Sequence, residues 1–167
     1  MKELDFKPAK SKTDFRQNYK LHDLAEWNGK NLLTQWGIKF ADFGEDKRFH
    51  KVWEKGGDKP DTVLESNNKI AFIDWKGKSK PFWIINKRAY KSYIQWSEKH
   101  NAPVFIAFFV FDERKKILEK RIGSLINHKT QLVEKKQWDK NDTIKFTEEL
   151  PEFNRVNLIS LWRTFYE

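Results

Sequence analysis

Pro60-Asp61-Thr62-Val63-Leu64-Glu65, then Ser66-Asn67-Asn68, then Lys69-Ile70-Ala71-Phe72-Ile73-Asp74-Trp75-Lys76 reads as two strands joined by a tight turn. Asn tolerates positive φ better than most residues, so Asn67-Asn68 suits a two-residue type I′ turn. With that loop Ser66 faces Lys69, and counting back along both strands sets Asp61 directly opposite Asp74. Cross-strand partners share a face of the sheet. Alternation adds Lys76 to that face and sends Ala71, Ile73 and Trp75 to the other. Two carboxylates and an ammonium thus converge, a set suited to a divalent cation and a phosphate.

Around this hairpin the sequence predicts further elements. Phe15, Tyr19, Leu24 and Trp27 recur at helical spacing from Asp14, and Leu32, Leu33 and Trp36 carry the pattern to Gly37, a C′ residue. Asn28-Gly29 is expected to kink or divide that helix. Ile38 to Phe43 reads as a first strand, which His50 to Glu54 would extend or pair with. Asn86 is a good N-cap for a helix to about His100, stopped by Asn101 and Pro103. Pro103 to Phe111 is almost wholly apolar, as a central strand covered on both faces would be, and it returns parallel to the hairpin. Ile117 to Ile126 reads either as a strand plus short helix or as one helix. Thr143 to Phe146 reads as a strand and Val156 to Phe165 as a terminal helix. The expected class is α/β or α+β, a mixed sheet flanked by helices, with a loose arm over residues 1–12 and one domain over 13–167.

Composition narrows the chemistry. The 167 residues carry 33 basic and 24 acidic side chains, a formal charge of +9. Such an excess favours polyanionic partners, nucleic acid first. Its distribution is pointed: from Trp75 to Ser97 there is no acid, while Lys76, Lys78, Lys80, Lys87, Arg88 and Lys91 all fall there. No cysteine is present, which excludes disulfides and thiolate metal sites. The start, Met1-Lys2-Glu3-Leu4-Asp5, has no apolar signal core, and Val104 to Phe111 is too short to span a bilayer. A soluble cytoplasmic protein without a membrane partner is expected. The four histidines, His22, His50, His100 and His128, form no metal-binding spacing, and no Gly-rich phosphate loop or nucleophile elbow occurs. Most of the eight tryptophans and fourteen phenylalanines, Trp27, Trp36 and Trp96 among them, fall at core periods. Phe82 and Trp83 instead follow the basic loop Lys78-Ser79-Lys80-Pro81, placed to stack on or wedge into nucleic acid.

Acid-x-lysine triplets also occur elsewhere, Glu45-Asp46-Lys47, Glu113-Arg114-Lys115 and Glu134-Lys135-Lys136 among them, in polar surroundings. Only Asp74-Trp75-Lys76 closes an apolar strand, where a charge is costly unless paired or functional. With Pro60-Asp61 before it, this stretch resembles the core of the PD-(D/E)xK nuclease superfamily, whose small Holliday-junction-resolvase-like members are closest in spacing. The resemblance runs from about Asp23 to Phe111 in the order α-β-β-β-α-β. It implies that Asp61 and Asp74 bind Mg²⁺, for which Mn²⁺ would substitute, and that Lys76 orients or helps deprotonate the attacking water. It further implies that Glu26 on the first helix completes the metal shell, with Asp23 and Asp58 as substitutes. Lys91 and Gln95 would touch the site or the DNA backbone, and Lys78, Lys80, Lys87 and Arg88 would track that backbone. The resemblance thus implies a metal-dependent DNA endonuclease, resolvase-like or repair-like. Symmetric cutting of two strands would need a homodimer. The alternatives are a restriction- or transposon-type endonuclease, or a non-catalytic subunit that keeps the fold to bind nucleic acid. A strand acid of Asp rather than Glu departs from the usual resolvase pattern.

Overall fold

The computed structural model describes residues 12–43, 58–134 and 142–167, with side chains from residue 20 onward. Helix α1 (Lys12–Gln35) leads to β1 (Lys39–Asp42), β2 (Thr62–Ser66) and β3 (Lys69–Lys78). There follow β4 (Ile84–Asn86), α2 (Lys87–His100), β5 (Val104–Phe111), β6 (Ile117–Ser124), β7 (Thr130–Val133), β8 (Thr143–Phe146) and α3 (Arg155–Phe165). The main sheet has the order β1-β2-β3-β5-β6, with only β3 and β5 parallel. A second sheet has the order β4-β8-β7. The class expected from the sequence is the observed one: a mixed sheet flanked by helices, in the order α-β-β-β-α-β with β4 inserted before α2.

The local signals act as their chemistry requires. Asn67 and Asn68 adopt φ of 51° and 63°, and the hairpin pairs Ser66 with Lys69 and Thr62 with Ile73. Asn86 caps α2 by accepting the Arg88 N–H, and Asn101 closes it in the left-handed region. Gly37, at φ 71°, ends α1 while Ile38 N–H donates back to Leu33 C=O at 3.0 Å, a Schellman closure.

Period-2 alternation on β3 and β5 divides the core. Ile73, Trp75, Phe105, Ala107 and Phe109 pack with Leu21, Ala25 and Leu33 of α1 and Leu158 and Trp162 of α3. Phe72, Val104, Ile106 and Phe108 pack with Ala89, Tyr93 and Trp96 of α2 and with Ile85, Ile144 and Phe146 of the second sheet. All eight residues of β5 are buried, as its sequence predicts. A fully buried large apolar side chain contributes roughly 1.5–3 kcal/mol, so β5 anchors both layers.

Several expectations need correction. Asn28-Gly29 does not divide α1, which is continuous, because Gly29 serves another end: a Cβ there would lie 2.2 Å from the Trp75 ring. Trp27 is not core but 64% exposed, since α1 turns its Ala25 and Gly29 side to the sheet. Ile117 to Ile126 is a strand running into a turn, with no helix. The short strands β4 and β7 escaped prediction. The arm over 1–12, apart from Lys12 where α1 begins, and the segment His50 to Glu54 lie outside the described residues. Among the described residues no helix is long and apolar enough to cross a membrane.

Candidate active site

The site forms where β2 stops and β3 continues. A two-residue turn makes Ser66 and Lys69 a hydrogen-bonded pair, and every second pair beyond it is the same. Carried on, that ladder would set Pro60 against Trp75, and proline has no N–H to give. Strand β2 begins only at Thr62, so two side chains take the free edge of Trp75. Its N–H donates to Asp61 Oδ2 at 2.9 Å, and its carbonyl accepts from His22 Nδ1 at 2.9 Å. A carbonyl can only accept, so Nδ1 carries the proton, and in the neutral ring Nε2 keeps its lone pair. That Nε2 lies 4.0 Å from Asp61 Oδ2. Below the site, Trp75 Nε1 donates to Thr62 Oγ1 at 3.0 Å, fixing the indole under the sheet.

Helix α1 reaches this edge because Gly77 lets it. A Cβ at Gly77 would stand 2.0 Å from the Leu21 carbonyl oxygen, so only glycine permits the approach that brings His22 to Trp75.

On the α2 side of β3, Asp74 is only 2% exposed, and its Oδ2 faces Lys76 Nζ at 3.1 Å without hydrogen-bond geometry. The Asp61 and Asp74 carboxyls lie close enough for each to act on the other's protonation. Burial, and then the charge of Asp74, push the Asp61 carboxyl well above the ordinary aspartate range. Burial would raise Asp74 also, but the Lys76 ammonium outweighs it and holds Asp74 low. Of the two, Asp61 is the carboxyl that holds its proton to higher pH and Asp74 the one that favours the negative charge. Lys76 is raised, chiefly by Asp74, so it is a firm cation. Tyr93 Oη donates to the Lys59 carbonyl at 3.3 Å, and burial and the neighbouring carboxylates push its phenol far upward, keeping it neutral. Lys78, next along the same face, is lowered to about 8 by burial and by the Lys76 charge.

A carboxyl disposed by burial and a neighbouring charge to hold a proton, beside the buried Asp74 carboxylate, fits a hard divalent cation that would take the proton's place. Among the described residues no cluster of three His, Asp or Glu side chains is close enough to hold a metal ion. Two carboxylates suit Mg²⁺, which retains several waters.

The other expected site residues are dispersed. Glu26 lies one helical turn beyond His22, but its Oε1 sits 3.4 Å from Lys30 Nζ, and Lys30 also binds Asp42. Asp58 pairs with Arg88 at 2.9 Å, and its carbonyl accepts from Ser92 Oγ and Trp96 Nε1. Asp23 has a buried Oδ2 with no hydrogen-bond partner. Lys87 stands 3.8 Å from Asp142. Lys91 and Gln95 are on the exposed side of α2, which sends Tyr93 toward the carboxylates instead. Lys80 is exposed, as is Phe82 at 59%, whereas Trp83 packs on Phe108 with ring centres 5.3 Å apart.

Sequence reasoning missed His22 and Tyr93. Tyr93 stands among the apolar positions of α2 and is core as well. For His22 a signal existed: it precedes Glu26 by four residues and so shares its helical face.

No family model and no curated protein matches the chain. Among solved structures it is similar to a Holliday junction resolvase from Archaeoglobus fulgidus, an archaeal hyperthermophile, with a TM-score of 0.49 and 14% identity. The match covers 80% of this chain and 94% of that one.

Proposed function

We propose that this chain is a divalent-metal-dependent endonuclease that hydrolyses phosphodiester bonds in DNA, of the junction-resolving or repair kind. The observation that carries it is the half-buried Asp61 carboxyl set against the buried Asp74 beside Lys76. Asp61 and Asp74 would hold Mg²⁺, with the Nε2 of His22 facing the same carboxylate from α1. When bound, such an ion supplies an activated water and neutralises phosphate charge.

The protein's own groups have separable tasks. Lys76, held as a cation by Asp74, offsets charge gathering on the phosphate and orients the water; it does not act as the base. Lys78 extends the positive face of β3 toward the adjoining phosphate. Asp61 and His22 are held by the Trp75 backbone, so their geometry needs little reorganisation on binding. Phosphate contacts by Lys80, Lys87 and Arg88 would position DNA without reading its sequence. The presence of Asp61, Asp74 and Lys76 together favours catalysis over a binding platform.

The test is a cleavage assay on linear, nicked, flapped and four-way DNA with Mg²⁺. Asp74→Asn and Lys76→Ala should fold and lose about 10³-fold in rate, the scale of removing one electrostatic catalytic group. Unchanged cutting in either variant, or no cutting of any form by the wild-type chain, would sink the assignment.

A further inference from the structure

A concavity of about 420 Å³ lies between the Asn67-Asn68 turn and α3, on the face of the sheet away from Asp74. Lys69, Arg155, Trp162, Arg163, Tyr166 and Glu167 line it. Its side chains are unbalanced in charge, three cationic (Lys69, Arg155 and Arg163) against one acidic (Glu167). Its floor is also fixed. Trp162 Nε1 donates to the Ile70 carbonyl at 3.2 Å, and Tyr166 Oη lies 3.1 Å from the same oxygen. Lys69 Nζ stands 4.0 Å above the centre of the Tyr166 ring, which places the ammonium at the wall. Arg155 gives its Nε–H to the Trp36 carbonyl at 3.3 Å, an anchor that leaves its terminal N–H groups for a ligand. Arg155 and Arg163 are two turns apart on one helical face, so both guanidinium groups border the same space.

From this arrangement we infer a second anion site that takes a phosphate ester. Arginine forks match phosphate oxygens in pairs, and a cleft with fixed aromatic walls and a positive rim lowers the ordering cost of binding. The site is separate from the Asp61–Asp74 centre: Lys69 and Asp74 are five residues apart on β3, about 17 Å at a rise of roughly 3.3 Å per residue. A duplex lying across Asp74 and Lys76 therefore leaves this cleft for another phosphate. That phosphate belongs either to a further stretch of nucleic-acid backbone or to a free nucleotide.

Binding is measured with divalent metal removed, so a chain with no cutting activity gives the same readout. The probes are AMP, followed by calorimetry, and a mixed-sequence single-stranded oligonucleotide, followed by fluorescence anisotropy. Lys69→Glu/Arg163→Glu is compared with Lys116→Glu/Lys145→Glu, a pair of exposed lysines elsewhere with the same change in net charge. The cleft pair should weaken binding about tenfold beyond the control pair and flatten the salt dependence by one to two phosphate contacts, each about 0.7 in slope for a single strand. Loss of AMP binding assigns a free nucleotide; loss confined to the oligonucleotide assigns the backbone. Should the charge reversals unfold the chain, Lys69→Gln/Arg163→Gln is measured with the same expectation. Equal binding by the cleft and control variants, or no binding of either probe to the wild-type chain, overturns the inference.

Discussion

His22 Nδ1 and the Trp75 carbonyl are 2.9 Å apart, and through this bond the first helix is tied to the edge of β3 one residue after Asp74. The bond answers a local need, because Pro60 has no N–H to offer at that point of the ladder. It also sets the face that the imidazole turns to Asp61. Replacing His22 by Ala leaves a buried carbonyl without a donor, which should cost about 1–3 kcal/mol in chemical denaturation. His22→Asn restores an N–H near the Nδ1 position and should recover most of that stability. If Nε2 serves the cation, both variants should still lose about 10- to 100-fold in metal affinity by calorimetry. Metal affinity equal to wild type in His22→Asn would confine His22 to holding the strand edge.

The raised Asp61 carboxyl makes metal-free stability depend on pH in a defined direction. Asp61 is raised above its unfolded value, so the folded chain keeps a proton that the unfolded chain releases. Stability from this group is full below the ordinary aspartate value and falls as pH rises toward the raised Asp61 value. Mg²⁺ would take the place of that proton, so its effect on Tm should be larger at pH 8 than at pH 5. At a hundredfold excess over Kd the gain is about 2.7 kcal/mol. Asp61→Asn should abolish both the pH slope and the metal effect in thermal melts.

Gly77 and Gly37 separate two reasons for glycine. At Gly77 a methyl group would meet the Leu21 carbonyl oxygen at 2.0 Å, a backbone contact that no rotamer change relieves. Gly77→Ala should cost about 1–3 kcal/mol or more and displace α1, reducing cutting along with stability. Gly37 has open space but φ of 71°, so Gly37→Ala should cost only about 1 kcal/mol or slightly more and leave cutting unchanged. Denaturation midpoints measured beside cleavage rates distinguish the two.

Lys78, lowered to about 8, should make DNA binding sensitive to mild alkali. Above that value it loses its charge in the free protein, and affinity should fall by up to about tenfold per pH unit. Lys78→Arg stays charged and should flatten the profile between pH 7 and 9. The stability effect has the opposite sense: between about 8 and the ordinary lysine value the unfolded chain binds the extra proton, so this group makes stability rise with pH. Anisotropy titrations across that range would refute the role if wild type and Lys78→Arg coincide.

The elements that were legible in the sequence are those whose cause lies within a few residues. The Asn67-Asn68 turn set the hairpin register, and alternation then put Asp74 and Lys76 on one face and Trp75 on the other. Asn86, Asn101 and Gly37 marked helix ends through their own backbone and side-chain chemistry, and the unbroken apolar run of β5 marked the sheet centre. The acid-x-lysine triplet at Asp74 could be singled out from the others because only it closed an apolar strand. Tertiary structure decided what depends on distant segments. Gly29 looks like a helix breaker until Trp75 is packed against it, and Trp27 looks like core until the helix is rotated onto the sheet. His22 joins the site only because a strand edge 53 residues later lacks a donor, a need that no local pattern records. Glu26 shares that helical face, yet it pairs with Lys30, which Asp42 binds in turn. Register and alternation are short-range geometry and can be counted from the chain; the pairing of buried polar groups is settled only when the segments that satisfy them come together.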